Sequence, residues 1–131
     1  MSKPQRILIA DDASLVRQYY RNIIAPAGFA IEEALNGLEA LEKLLDHAVD
    51  LLIVDINMPK MDGLTFLKTL RAHPAGIASI PALVISTEAA PADIAAARAA
   101  GANFYLVKPV QPETLLRYVT LLCAPMPEAP A

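Results

Sequence analysis

The 131-residue chain has no tryptophan and a single cysteine, Cys123. One thiol excludes an intrachain disulfide and any zinc site built on several cysteines. The lack of a disulfide framework suits a reducing compartment, and the expected location is the cytoplasm. No apolar run approaches the roughly 18–20 residues that span a bilayer, so no membrane insertion is expected. The opening MSKPQRILIADD places two aspartates directly behind the short apolar stretch ILIA, which is too short for the core of a secretory leader. There is no basic stripe either. Lys and Arg total 11 against 14 Asp and Glu, for a net charge of −3, and they are scattered, which argues against a nucleic-acid partner. No internal repeat is present. What the chain does have is 55% hydrophobic and 19% charged residues. That balance belongs to a compact globule with one sizeable core.

Short apolar segments alternate with longer amphipathic ones. RILIA (6–10), FAIEEA (29–34), LLIVD (51–55), PALVIS (81–86) and NFYLV (103–107) read as five strands. Nearly continuous apolar runs among them suit strands covered on both faces of a parallel sheet. The intervening helices are SLVRQYYRNII (14–24), GLEALEKLLDH (37–47), GLTFLKTLRAH (63–73) and ADIAAARAA (92–100), with ETLLRYVTLLC (113–123) closing the series. Leu38, Leu41, Leu44 and Leu45 are expected on one face of the second helix, and Leu64, Leu67 and Leu70 on one face of the third. Five βα units predict right-handed crossovers and an open, doubly wound α/β sheet, since a barrel needs eight units. Residues 1–123 are expected to form the one domain. Residues 124–131, APMPEAPA, are expected to be a disordered Pro/Ala-rich tail with no second domain beyond it.

Open α/β sheets bind ligands beyond the carboxyl ends of their strands. In LLIVDINMPKMDG (51–63) the apolar run ends on Asp55, and a buried carboxylate needs a cation, hydrogen bonds or access to water. Asp11 and Asp12 follow the first strand, Ser86, Thr87 and Glu88 the fourth, and Lys108-Pro109 the fifth. Under a 2-1-3-4-5 strand order the first and third strands are neighbours, so Asp11, Asp12 and Asp55 meet. Three carboxylates so close call for a cation, and an oxygen-rich set without His or Cys favours Mg²⁺, with Mn²⁺ as the other hard ion that fits. Lys108 could neutralise a phosphoryl group, the Ser86 hydroxyl could donate to it, and Asp55 is the candidate nucleophile for an aspartyl-phosphate. A helix cap would account for one of the two N-terminal acids, but not for both together with Asp55 and Lys108. His47 and His73 sit at helix ends and read as solvated ends rather than ligands, and Cys123 as a packed or fraying helix residue.

ADD after the first strand, VDINMPKMDG, STE after the fourth and the closing YLVKP together resemble a response-regulator receiver domain of the CheY-like family. The resemblance covers residues 5 to about 123. That family is itself a standing example of the 2-1-3-4-5, flavodoxin-like order, so the order is implied by the resemblance as much as by the periodicity. It further implies that Asp55 is the phosphoacceptor, and that Asp11, Asp12, Asp55 and the backbone carbonyl of Asn57 hold Mg²⁺. Ser86 would be the switch hydroxyl, Lys108 the phosphate-pairing lysine and Tyr105 the switch aromatic. The Lys108-Pro109 bond is expected to be cis, and Asn57 and Glu88 to flank the path of the dephosphorylating water. The Asn/Glu combination and STEAAP resemble the chemotaxis members.

These implications give a stand-alone two-component regulator phosphorylated by a histidine kinase or a histidine phosphotransfer protein. It would signal by phosphorylation-dependent binding to a target such as a flagellar switch component, as a monomer. It would assist its own phosphotransfer and dephosphorylation without being a turnover enzyme. A phosphorelay intermediate or phosphate sink is the alternative with the same chemistry. A phosphatase of the haloacid-dehalogenase type is disfavoured, because Asn57 stands where that family has its general acid. A flavin cradle is disfavoured because ADDASL is acidic where a phosphate needs donors.

Overall fold

The computed structural model describes residues 4–73 and 76–123; the expected tail at 124–131 lies outside them. The elements run β1 (Arg6–Ala10), α1 (Ser14–Ile24), β2 (Ala30–Ala34), α2 (Gly37–Asp46), β3 (Leu51–Val54), α3 (Gly63–Arg71), β4 (Ala82–Ser86), α4 (Pro91–Ala100), β5 (Phe104–Val107) and α5 (Pro112–Cys123). Single 3-10 turns occupy Ala25–Ala27 and Gly76–Ser79. The five strands are all parallel and lie in the order β2-β1-β3-β4-β5, so the expected fold class is the observed one.

Alternation along the strands builds two cores, since successive side chains point to opposite faces. Ile7, Ile9, Ile53 and Ile85 pack against Tyr20 and Ile24 of α1 and Leu115 and Val119 of α5. Leu8, Leu52, Val54 and Val84 face Phe66, Leu67 and Leu70 of α3, with Ala40 and Leu44 of α2 and Ala97 of α4. Burial on both faces is why these strands read as unbroken apolar runs. Several boundaries differ from the sequence reading. β2 begins at Ala30 rather than Phe29 because its register starts at the Arg6–Ala30 pair. α4 begins one residue early, at Pro91, where proline's fixed φ and missing N–H suit a first helical turn. α2 stops at Asp46 because His47 is extended, with φ −131° and ψ 137°.

The leucine face expected on α2 divides. Leu44 is buried and Leu41 partly so, but Leu38 is 46% and Leu45 67% exposed. Gly37, Ala40 and Leu44 form the buried side instead. The small residues there let the helix lie close to the neighbouring loop, where the Gly37 N–H donates to the Met61 carbonyl. On α3 Leu67 and Leu70 are buried and Leu64 partly so, as expected, and Phe66 joins them. At the β2 edge Glu33 is held by Arg17 and Arg21. Among the described residues no helix is long and apolar enough to cross a membrane.

One close approach fixes α3 against the end of β3. The Asp62 side chain caps α3 by accepting from the Thr65 N–H, and the Gly63 N–H donates to the Ile56 carbonyl at 2.8 Å. A Cβ on Gly63 would lie 2.2 Å from the Asp55 carbonyl oxygen, which is backbone and cannot swing aside. Gly63→Ala is therefore expected to cost about 1–3 kcal/mol, as overpacking does, measured as a lowered urea midpoint. A midpoint equal to the parent's would show that the backbone yields here without cost.

Candidate functional site

Each carboxylate of the cluster is placed by the backbone of its own strand end. The Asp11 N–H donates to the Ala34 carbonyl and the Asp55 N–H to the Ala10 carbonyl, so both residues stay on the sheet ladder one step past their strands. Asp11 is buried, Asp55 is 9% exposed, and Asp12 is exposed. One carboxylate oxygen from each of the three lies within 4.8 Å of those of the other two. Lys108 comes in from the far end of the chain. Its N–H donates to the Ser86 carbonyl, and the following bond to Pro109 is cis, as expected. Its Nζ donates to Asp11 Oδ2 at 3.0 Å and to Asp55 Oδ2 at 3.4 Å.

The charges are not balanced by this one cation. Two like charges about 4 Å apart repel by roughly 4 kcal/mol at an effective dielectric of about 20. Burial first, and then the negative charge of Asp11, push the Asp55 carboxyl above the usual range, while Lys108 acts in the opposite direction. Burial lowers the Lys108 ammonium, but its hydrogen bond to Asp11 and both carboxylate charges outweigh that, so it stays firmly protonated. Asp11 Oδ1 accepts the Ala13 N–H, which fixes the carboxylate's direction. The donor set is all oxygen, anionic and open to solvent through Asp12, which fits a hard divalent cation.

The other expected residues surround this centre. Ser86 is fully buried at the end of β4, and its Oγ accepts the Glu88 N–H at 3.2 Å. The Tyr105 hydroxyl donates to the Glu88 carbonyl at 2.6 Å. The Asn57 side chain donates to Glu88 Oε1 at 3.2 Å. Glu88 thus joins three of the expected positions through its N–H, its carbonyl and its carboxylate. Burial pushes the Tyr105 phenol up.

Sequence reasoning missed Arg17, whose guanidinium donates to the Asp11 carbonyl at 2.6 Å while also holding Glu33. It also missed an apolar groove of about 540 Å³ beside Lys108, lined among others by Leu15, Tyr19, Tyr20, Thr87 and Pro109. Two of its lining residues are joined, the Tyr19 hydroxyl donating to the Val110 carbonyl at 2.8 Å. The only hint in the sequence was aromatic residues on a helix following the acidic pair.

A raised Asp55 pKa means that the folded state holds that proton more tightly than the unfolded chain. Its charged form therefore subtracts from stability above the folded pKa, and the loss is relieved as pH falls through it. Asp55→Asn is expected to melt a few degrees above the parent at pH 7 without divalent cations, the gap narrowing toward acid pH. A lower melting temperature for the variant would show that the Lys108 contact outweighs burial and Asp11.

The response regulator receiver domain profile matches residues 7–120. The chain is 39% identical over 112 residues to chemotaxis protein CheY1 of Helicobacter pylori, covering 84% of this chain and 90% of that one. It is 36% identical over 107 residues to a gliding motility regulatory protein of Myxococcus xanthus, covering 82% of this chain but only 14% of that protein. The fold superposes on the chemotaxis response regulator CheY4 of Vibrio cholerae with a TM-score of 0.84 and 35% identity, covering 91% of this chain and 98% of that one. With the family profile spanning nearly all of the described fold, this chain belongs to the response-regulator receiver domain family.

Proposed function

We propose that the chain is a phosphorylation-controlled binding switch whose acceptor is Asp55. The observation that carries this reading is the buried Asp55 carboxylate sharing Lys108 with Asp11, inside a cluster of three acids. An Asp55 oxygen attacks the phosphorus of a phosphohistidine, the P–N bond breaks, and the leaving imidazole keeps the electron pair and takes a proton from water. Asp11, Asp12, Asp55 and the Asn57 carbonyl are the residues to hold Mg²⁺. Bound there, the ion would neutralise charge on the cluster and on the phosphoryl oxygens. Lys108 would pair with a phosphoryl oxygen, and the Ser86 hydroxyl, which accepts from the Glu88 N–H, would turn toward the phosphoryl group and donate a hydrogen bond to it. The donor is a histidine kinase or phosphotransfer protein. The apolar groove beside Lys108 supports docking of such a protein at the mouth of the site.

Release of Ser86 from the Glu88 N–H would loosen the loop that Tyr105 and Asn57 also hold, shifting a balance between conformers. The target would bind the face formed by α4, β5 and α5 in the cytoplasm. A flagellar switch component is the target suggested by the similarity to chemotaxis proteins, with a relay or phosphate sink as the second reading. The chain would assist its own phosphotransfer and hydrolysis without turning over a separate substrate.

Incubation with Mg²⁺ and acetyl phosphate, or with a phosphorylated histidine kinase, is expected to add one phosphoryl group by intact mass. The adduct should be absent in Asp55→Asn and after chelation. Lys108→Ala is expected to retain some phosphorylation but lose the change in Tyr105 environment that accompanies it. An adduct on Asp55→Asn, or none on the parent with either donor, would sink the assignment.

A further inference from the structure

Helix α4 is held unequally at its two ends. Its start is capped by Ala90, which gives no side-chain hydrogen bond, and its first residues, Pro91 and Ala92, are exposed. Its buried residues, Ala97 and Ala100, both belong to the second half of the helix. At the far end lies Arg71, the last residue of α3. Its Nε and Nη2 both donate to the Gly101 carbonyl, at 3.1 and 2.7 Å. Nη1 donates to the Ala78 and Ile80 carbonyls at 2.9 and 2.6 Å. Nη2 also reaches Asn103 Oδ1 at 3.2 Å, and that oxygen in turn accepts the Ala82 N–H that opens β4.

One half-buried guanidinium thus ties the end of α4 to α3, to the lead into β4 and to the turn before β5. The charge is suited to the place, since it sits at the carboxyl ends of two helices, where a cation is favoured. Gly101 matches it in shape. Its φ is +116°, and a Cβ there would lie 2.6 Å from the Arg71 side chain. The loose end, by contrast, joins directly to the loop in which Glu88 contacts Ser86, Tyr105 and Asn57.

We propose that Arg71 is the fixed pivot of α4, so that events at the site swing the amino end of the helix about Gly101 while its carboxyl end stays in place. Arg71 makes no contact with the acidic cluster and meets α4 only at its carboxyl end; it is a positioning residue that decides which part of the helix can respond. The swing on activation rests on the phosphorylation reading above, whereas the unequal anchoring does not.

Amide hydrogen exchange on the full chain tests both. Without ligand, the amides of Ala99 to Ala102 should exchange at least about tenfold more slowly than those of Ala95 and Ala96, the difference expected from one charge-assisted hydrogen bond. A helix lacking the pivot would fray from both ends alike, and equal rates would overturn the proposal. Beryllofluoride with Mg²⁺, a stand-in for the phosphoryl group, should change exchange at Ala95 and Ala96 and leave Ala99 to Ala102 unchanged. A response along the entire helix would overturn the pivot. If beryllofluoride changes nothing at Asp55 either, the phosphorylation reading fails, and the ligand-free comparison still decides the anchoring. In Arg71→Lys the beryllofluoride response should spread to residues 99–102. A merely stabilising arginine would instead lower protection everywhere and leave the response where it was. Should Arg71→Lys not fold, Asn103→Ala, which removes one partner of the guanidinium, is expected to give a smaller spread in the same direction, and an unchanged pattern there would count against the pivot.

Discussion

Two carboxylates and one ammonium, all partly withdrawn from water, set the terms for this fold. Asp11 and Asp55 repel each other, and Lys108 lies close enough to both to make their proximity tolerable. Those distances hold only while β1, β3 and the end of β5 stay in register across the sheet, because each residue is fixed by a backbone hydrogen bond to a neighbouring strand. The apolar layers above and below keep the strands in place, and the strand ends are left to hold charge. The chain therefore concentrates its packing in the body of the sheet and its electrostatic strain at one edge, and a raised Asp55 pKa is the sign that the strain is incompletely relieved.

What the sequence revealed follows from what kind of interaction each feature uses. The three central strands were readable because strands covered on both faces leave an unmistakable apolar run. Asp55 and Lys108 were readable because a charged residue at the end of such a run stands out against its surroundings. The face of α2 was misread: four leucines make a stripe wider than the surface available, and the close contact is made by Gly37 and Ala40, which a search for bulky residues passes over. Arg17 and Arg71 were unreadable for another reason. Arg17 reaches the site through the Asp11 carbonyl and the partners of Arg71 are mainly backbone carbonyls, and a carbonyl is the same at every position in the chain.

The loop after β4 shows how local and distant residues are combined. Ser86 and Glu88 are near neighbours in the sequence, while Asn57 and Tyr105 reach the same loop from 31 residues before Glu88 and 17 residues after it. The loop is fastened by hydrogen bonds and not by buried apolar groups, which makes it a segment that can open at low cost while the layers beneath remain packed. Fastenings of this kind exchange partners readily, and a new acceptor or donor at the site competes with them on equal terms.

Lys108 reaches Asp11 across 97 residues of chain and Asp55 across 53. A site closed over such distances has no partial version. A chain still being synthesised, lacking β5, would hold the two aspartates without their shared cation, and long-range contacts of this kind are among the last to form as a protein folds. Assembly and completion therefore coincide: the two aspartates share their cation only on molecules whose entire sheet is in place.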